Sequence, residues 1–478
     1  EQRGAGMAPE SAVRALGGTV ERQLPIVGGF AARMPAGSLA ELRRSKGVRS
    51  VARDRRLSVR NTEAPASDAS TSLAAARAAI GADRIAGDGS GVGVALVDTG
   101  VARVPALAGK VVDGPDFSAD GGDPARRSID AFGHGTHLAG IIAGSDAASG
   151  LTGIAPGARI VNVRVADHDG ATSLVRLLAG IDWVVRNARR GDLDIRVLSL
   201  AVGGSPEGGY RQDPLALAVE RAWQHGLAVV VSAGNGGNAT TTLDSPAYDP
   251  FVIAVGAEDT ADTPEITDDH VAAFSSRGSA QRSPDVVAPG VGIVSLRVPG
   301  SLLDQSFPGA RIGEAFFRGS GTSQSAAVVS GAAALLIAQR PGLTPDAVKA
   351  LLRASARVLP GFDAQLQGAG LPDLEVAAGA MPPVGAEQRW PSAAGGARWR
   401  IRGAAGVQLA AENAAAWQAN RWRADAWQAN RWRADAWQAN RWRADAWQAN
   451  RWRADTWQAN RWRTSTWTAS GWDAAPLP

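Results

Sequence analysis

Four short stretches of the chain carry residues able to do covalent chemistry on a carbonyl carbon. Asp98-Thr99-Gly100 closes the apolar run VGVALV, and Gly133-His134-Gly135-Thr136-His137 opens a helical pattern. Ser232-Ala233-Gly234-Asn235-Gly236 closes a second apolar run, and Gly319-Ser320-Gly321-Thr322-Ser323 leads into the apolar helix pattern SQSAAVVSGAAALLIAQ. A serine hydroxyl is a poor nucleophile until a nearby imidazole takes its proton. That imidazole needs a carboxylate to fix its tautomer and to stabilise the imidazolium. Asp98, His134 and Ser323 supply the three parts. An amide donor aimed at the developing oxyanion is usually the largest single catalytic contribution. Asn235 stands ready for it, with the backbone N–H of Ser323 at its helix start as the natural second donor. The expected chemistry is acyl transfer through an acyl-enzyme, which needs no cofactor.

Each motif alone has a plainer meaning. A DTG is usually a turn after a strand, a GTS at a helix start is usually a cap, and the glycines of SAGNGG can serve tight turns only. His137, His168, His225 and His270 read as structural or surface residues. Four such motifs in one order at strand and helix ends make coincidence improbable.

The elements that must position them alternate. Val- and Ile-rich runs at Val92–Val97, Ile160–Val165, Val197–Val202, Leu227–Val231 and Phe251–Val255 read as strands buried on both faces. Helix patterns at Ser173–Arg189, Pro214–Gln224, Ser323–Gln339 and Pro345–Ala354 lie between and after them. This predicts an α/β fold with a doubly wound parallel sheet, in which active sites gather outside the carboxyl ends of the strands. Ahead of it, residues 1–60 read as a small α+β unit: helical at 9–16 and 38–45, strand-like at 19–33 and 48–59. Residues 61–81 and 379–416 read as linkers around a body at 82–378, and 417–478 as a Trp/Arg-rich repeat tail.

Charge is polarised along this layout. Residues 1–60 carry 12 Arg/Lys against 5 Asp/Glu, and the repeat from Trp417 to Arg463 carries 10 Arg against 4 Asp. The whole chain is only +4, so the body between is acidic. The basic excess sits in the flanks, and nucleic acid is not an expected partner of the body. There is no cysteine, which excludes disulfides, thiolate metal sites and a thiol nucleophile. No apolar run is long enough to span a membrane. The chain opens with Glu1-Gln2-Arg3, as expected after removal of an export signal. In the tail, WQANRWRADA recurs and Trp falls at every fifth residue from Trp417 to Trp472. A period of five keeps the Trp stripe on neither one helical face nor one face of a strand. Two readings stay open: a solvated low-complexity segment, or a solenoid or binding module in which Trp and Arg stack on a surface such as cell-envelope polysaccharide.

DTG, HGTHLAG, SAGNGG and GSGTSQSAA, in that order from about Ala82 to Ala378, resemble the subtilisin-like serine peptidases, the S8 subtilases. The resemblance implies their three-layer fold, a secreted serine endopeptidase, and roles for Asp98 (orienting), His134 (general acid and base), Ser323 (nucleophile) and Asn235 (oxyanion). It implies a specificity pocket lined by Ser199, Leu200, Ala201, Ala233 and Gly234, and a substrate-pairing edge at Asp169 and Gly170. That pocket carries no charge and has Ala201 in place of a family glycine, so an apolar residue on the acyl side of the cut is expected. Residues 1–60 resemble the family's inhibitory propeptide, a partner of its own body, which implies a zymogen cut between about Val59 and Pro65. The family's frequent calcium site uses an Asp shortly after DTG and an Asn after HGTH. Val104-Pro105-Ala106-Leu107 and Ser145-Asp146-Ala147-Ala148 supply neither, so calcium is not expected there. The alternative is a subtilase-fold scaffold without catalysis that works through its tail.

Overall fold

The computed structural model describes residues 8–59, 70–122, 129–206, 208–263 and 265–393, with four short strands beyond them. The chain divides into two compact units: Glu1–Gly396 with Arg400–Gln408, and Ala397–Trp399 with Leu409–Pro478.

In the larger unit an eight-stranded sheet runs in the order His270–Val271, Ile253–Asp259, Ala228–Ser232, Ile195–Leu200, Gly93–Asp98, Arg159–Arg164, Val111–Asp116, with Val286–Pro289 also paired to Ile253–Asp259. Only the His270–Val271 pairing is antiparallel; the others are parallel. Every residue of Gly93–Asp98 is buried, as a strand covered on both faces requires. The chain builds outward from this strand, first to Val111–Asp116 and Arg159–Arg164 on one side, then to Ile195–Leu200 and beyond on the other. Asp98 therefore sits at the carboxyl end of the strand where the order reverses, the crevice such sheets leave open. The helix pairs His134–Ala143 with Thr322–Gln339, and Leu174–Asn187 with Pro214–Gln224, pack together and against the strands.

The N-terminal block forms the helix Ala8–Ala15 and an antiparallel pair Thr19–Leu24 with Gly29–Arg33. The turn at Pro25–Val27 buries Ile26 and Val27, and Arg221 donates to the Ile26 carbonyl at 2.8 Å. The long strand expected over 48–59 shortens to Arg56–Val59. Among the described residues that strand pairs with no strand of its own block. It lies between Ala171–Ser173 and Val202–Gly203 of the body, antiparallel to both.

Two linker expectations are corrected. In the segment 61–81, Thr71 exchanges backbone bonds with Gly292 and Val294, and Ser72 caps the helix Leu73–Ala79 by accepting from the Ala75 N–H at 3.0 Å. Leu73, Ala76 and Ala79 are buried, so an Ala-rich stretch that reads as low complexity is a packed helix. In the segment 379–416, residues to Ala393 are docked on the body. Gln388 donates to the Phe251 carbonyl at 2.9 Å and Tyr210 to the Pro391 carbonyl at 2.7 Å. Glu220 accepts from the Ser392 hydroxyl and from the Ala393 N–H.

In the smaller unit Arg451–Arg453 pairs antiparallel with Gln458–Asn460. The other expectations for the tail lie outside the described residues.

Candidate active site

Asp98 Oδ1 lies 2.8 Å from His134 Nδ1, and both side chains are 1% exposed. The same oxygen accepts from the Thr99 N–H at 2.8 Å, with Thr99 Oγ1 3.2 Å away. With Nδ1–H donated to Asp98, Nε2 of the neutral ring is the basic nitrogen. Among the described residues His134 Nε2 has no hydrogen-bond partner. His134 is the first residue of its helix, preceded by Gly133 at φ 102°. A side chain at Gly135, next in the helix, would collide with the Gly100 carbonyl oxygen, so glycine is what lets this helix start against the Asp98 turn.

A second carboxylate, which the sequence reading passed over, fixes that turn and helix together. Asp130 is fully buried. Its Oδ1 accepts from the Thr99 hydroxyl and the Gly133 N–H at 2.8 Å each. Its Oδ2 accepts from the Thr136 N–H and hydroxyl, also at 2.8 Å each. Thr99 Oγ1 in turn accepts from the Gly135 N–H at 3.0 Å. Burial pushes the Asp130 carboxyl up, opposed by these hydrogen bonds. The available signal was an acidic residue a few positions ahead of a helix whose first N–H groups need acceptors.

Ser323 is the second residue of Thr322–Gln339 and is 2% exposed. Its helix packs against the His134 helix, but the Ser323–His134 hydrogen bond is not made, since Nε2 is unpartnered. Catalytic hydrogen bonds are often loose before substrate binds. Asn235 Oδ1 accepts from the Thr322 N–H at 3.0 Å and the Thr322 hydroxyl at 2.9 Å. This ties Asn235 to the residue before Ser323 and makes its Nδ2 the donating end.

The pocket expectations divide. Ser199, Leu200 and Ala201 end and follow a central strand, and all are buried. The Ser199 and Ser330 hydroxyls lie 3.0 Å apart, and with the Ser330 proton on the Ala326 carbonyl at 2.7 Å, Ser199 is the donor of the pair, its side chain turned to the helix Thr322–Gln339. Ala233 and Gly234 are buried at the end of the neighbouring strand, and the Gly234 N–H donates to Thr322 Oγ1 at 3.2 Å. The Gly170 carbonyl accepts from the Val59 N–H at 3.0 Å, and exposed Asp169 pairs with Arg56 at 2.9 Å. The edge expected to pair with substrate thus carries the chain's own strand Arg56–Val59. His137 is buried, and burial together with the nearby His134 holds it down at about 3. It stays neutral at working pH. His168 and His270 are exposed, and His225 follows a helix end, bonded to the Arg221 carbonyl at 2.8 Å. Among the described residues no group of three or more His, Asp or Glu is placed to hold a metal ion.

Residues 89–374 match the family model described as Subtilase family. Serine protease AprX of Bacillus subtilis (strain 168) is 39% identical over 295 residues, covering 60% of this chain and 66% of the relative. Thermitase of Thermoactinomyces vulgaris is 34% identical over 276 residues, covering 57% and 84%. The crystal structure of fervidolysin from Fervidobacterium pennivorans, a keratinolytic enzyme related to subtilisin, superposes with a TM-score of 0.64 at 25% identity. That likeness covers 80% of this chain and 61% of fervidolysin.

Proposed function

The chain belongs to the subtilase family, and from that premise we propose that it is a serine endopeptidase in which Asp98, His134 and Ser323 form the triad. The observation that carries the assignment is the buried 2.8 Å contact of Asp98 with His134 Nδ1, with Nε2 left unpartnered. In the mechanism this supports, His134 Nε2 takes the Ser323 proton as Oγ attacks the scissile carbonyl carbon. Asp98 holds the ring tautomer and stabilises the imidazolium without itself taking the proton. The Asn235 amide and the Ser323 N–H receive the oxyanion. His134 then gives its proton to the leaving amine, and water, deprotonated by the same nitrogen, releases the acyl group.

Residues 1–60 act as an inhibitory segment whose strand Arg56–Val59 lies on the substrate track, and the chain cuts itself between about Val59 and Pro65. The absence of charge among Ser199, Leu200, Ala201, Ala233 and Gly234 supports an apolar residue on the acyl side of the cut. The enzyme works outside the cell, as the resemblance to the subtilisin-like peptidases implies. The tail is dispensable for chemistry and either packs as a compact solenoid or attaches the enzyme to a surface such as cell-envelope polysaccharide: on the second reading, truncation after Ala415 leaves short-peptide hydrolysis unchanged and lowers retention on envelope material.

A serine-directed fluorophosphonate tests the central reading. Folded protein that has processed itself should be labelled stoichiometrically at Ser323, and Ser323→Ala should abolish both labelling and turnover. Folded, processed protein that takes no label would leave a scaffold, not an enzyme.

A further inference from the structure

One side chain just ahead of the cleft strand is held quite differently from its neighbours. Arg55 reaches into the body, where its Nη2 donates to Asp213 Oδ2 at 3.2 Å and to Ser245 Oγ at 3.0 Å. The pair is nearly buried, with side-chain exposures of 13% for Arg55 and 2% for Asp213. The next residue, Arg56, also meets a carboxylate, Asp169, but those side chains are 74% and 43% exposed, where an ion pair contributes little.

The receiving site does not depend on the arginine for its shape. Asp213 is the N-cap of Pro214–Gln224, with Oδ1 accepting from the Leu215 N–H at 2.8 Å. Its Oδ2 accepts from the Ser245 hydroxyl at 2.6 Å and the Tyr248 hydroxyl at 2.8 Å. Burial pushes the Tyr248 hydroxyl up, so it keeps its proton and its donor role. A rigidly capped carboxylate with two hydroxyls fixed on it is a preformed acceptor for a planar guanidinium.

The backbone around Arg55 follows the substrate track. Its carbonyl accepts from the Leu174 N–H at 3.1 Å, and the next three residues pair with Ser173, Thr172 and Ala171. A peptide lying along the same edge in the same register places its residue at the Arg55 position over Asp213.

We propose that Asp213, Ser245 and Tyr248 form an outlying substrate socket, selective for an arginine side chain four residues upstream of the residue that occupies the Val59 position. This deepens the endopeptidase reading and rests on it. Once the N-terminal segment leaves, the carboxylate of Asp213 faces an opened surface and gains most from a cation that can hydrogen-bond it.

The test uses enzyme that has processed itself from the full chain, and synthetic peptides of residues 51–66 with Arg, citrulline or Ala at position 55. Citrulline keeps the shape and removes the charge. The expected result is a KM about tenfold lower for Arg than for citrulline or Ala, with kcat unchanged. In Asp213→Asn enzyme, which retains a helix cap, and in Tyr248→Phe enzyme, the Arg-to-citrulline ratio should move toward one. Equal KM values for the three peptides on the unmodified enzyme would overturn the socket while leaving the peptidase intact. Cleavage of none of them would overturn the endopeptidase reading and the socket with it.

Discussion

Asn235 and Thr322 meet through two hydrogen bonds to one amide oxygen, from the Thr322 N–H at 3.0 Å and the Thr322 hydroxyl at 2.9 Å. The residue before the nucleophile thus sets which end of the Asn235 amide can donate. Asn235→Ala should lower kcat by about two to three orders of magnitude, as loss of the oxyanion asparagine does in subtilisin. Thr322→Val keeps the backbone bond and loses the hydroxyl. It should lower kcat by about tenfold with little change in KM, because the donor loosens only where the oxyanion forms. A rise in KM with kcat intact would assign Thr322 to substrate binding instead.

Asp130 joins the Asp98 turn to the His134 helix through four hydrogen bonds. Asp130→Ala should cost about 2 kcal/mol or more in unfolding experiments, since it strands several buried donors at a helix start. Asp130→Asn can keep acceptors toward Thr99 and Gly133 and should recover part of both stability and kcat. If Asp130→Ala is as active and as stable as the parent, the network has no positioning role.

Self-processing should leave active enzyme whose first residue lies between Arg60 and Ala66. The strand Arg56–Val59 is already seated between two edges of the body, so the chain that follows it enters the cleft first. N-terminal sequencing of active enzyme decides the matter. Full activity from protein that still begins at Glu1 would contradict it.

Glu220 holds the docked segment at Ser392 and Ala393, and it also faces Asp249 and Arg221. Burial raises its carboxyl from the ordinary value to about 7, and burial with the Glu220 charge beside it raises Asp249 as well. Between the ordinary carboxylate range and about pH 7, the folded protein keeps a proton that the unfolded chain has released. Stability from this group is therefore complete in acid and is lost as pH rises through 7. The melting midpoint should fall by a few degrees more between pH 5 and pH 8 in the parent than in Glu220→Gln. Identical pH dependence in the two proteins would remove Glu220 as the cause.

What could be read from the sequence followed from local physics. Val and Ile runs bounded by glycine announce strands buried on both faces, and the observed strands lie within a few residues of the expected ones, as at Gly93–Asp98 against Val92–Val97. Asp98, His134 and Ser323 stand at strand and helix ends because those ends are marked by glycine motifs. What could not be read depends on which distant groups meet. Nothing local says that the Ser199 hydroxyl turns to Ser330, or that Thr99 bridges Asp98 and Asp130. The helix Leu73–Ala79 was hidden because alanine gives a helical face no polar contrast. The partners of Arg56–Val59 lie more than a hundred residues away in sequence, so its alternation announces a strand without naming the sheet.

If the N-terminal segment departs as proposed, the place of Arg56–Val59, bordered on both sides, becomes a slot with backbone donors and acceptors along each edge. Such a slot grips any chain that can be drawn straight and refuses one held in a helix or a tight turn. The choice of where a folded target is cut then passes from its side chains to its mechanics. The bond that yields first is the one whose surroundings most readily come loose within the target's own fluctuations.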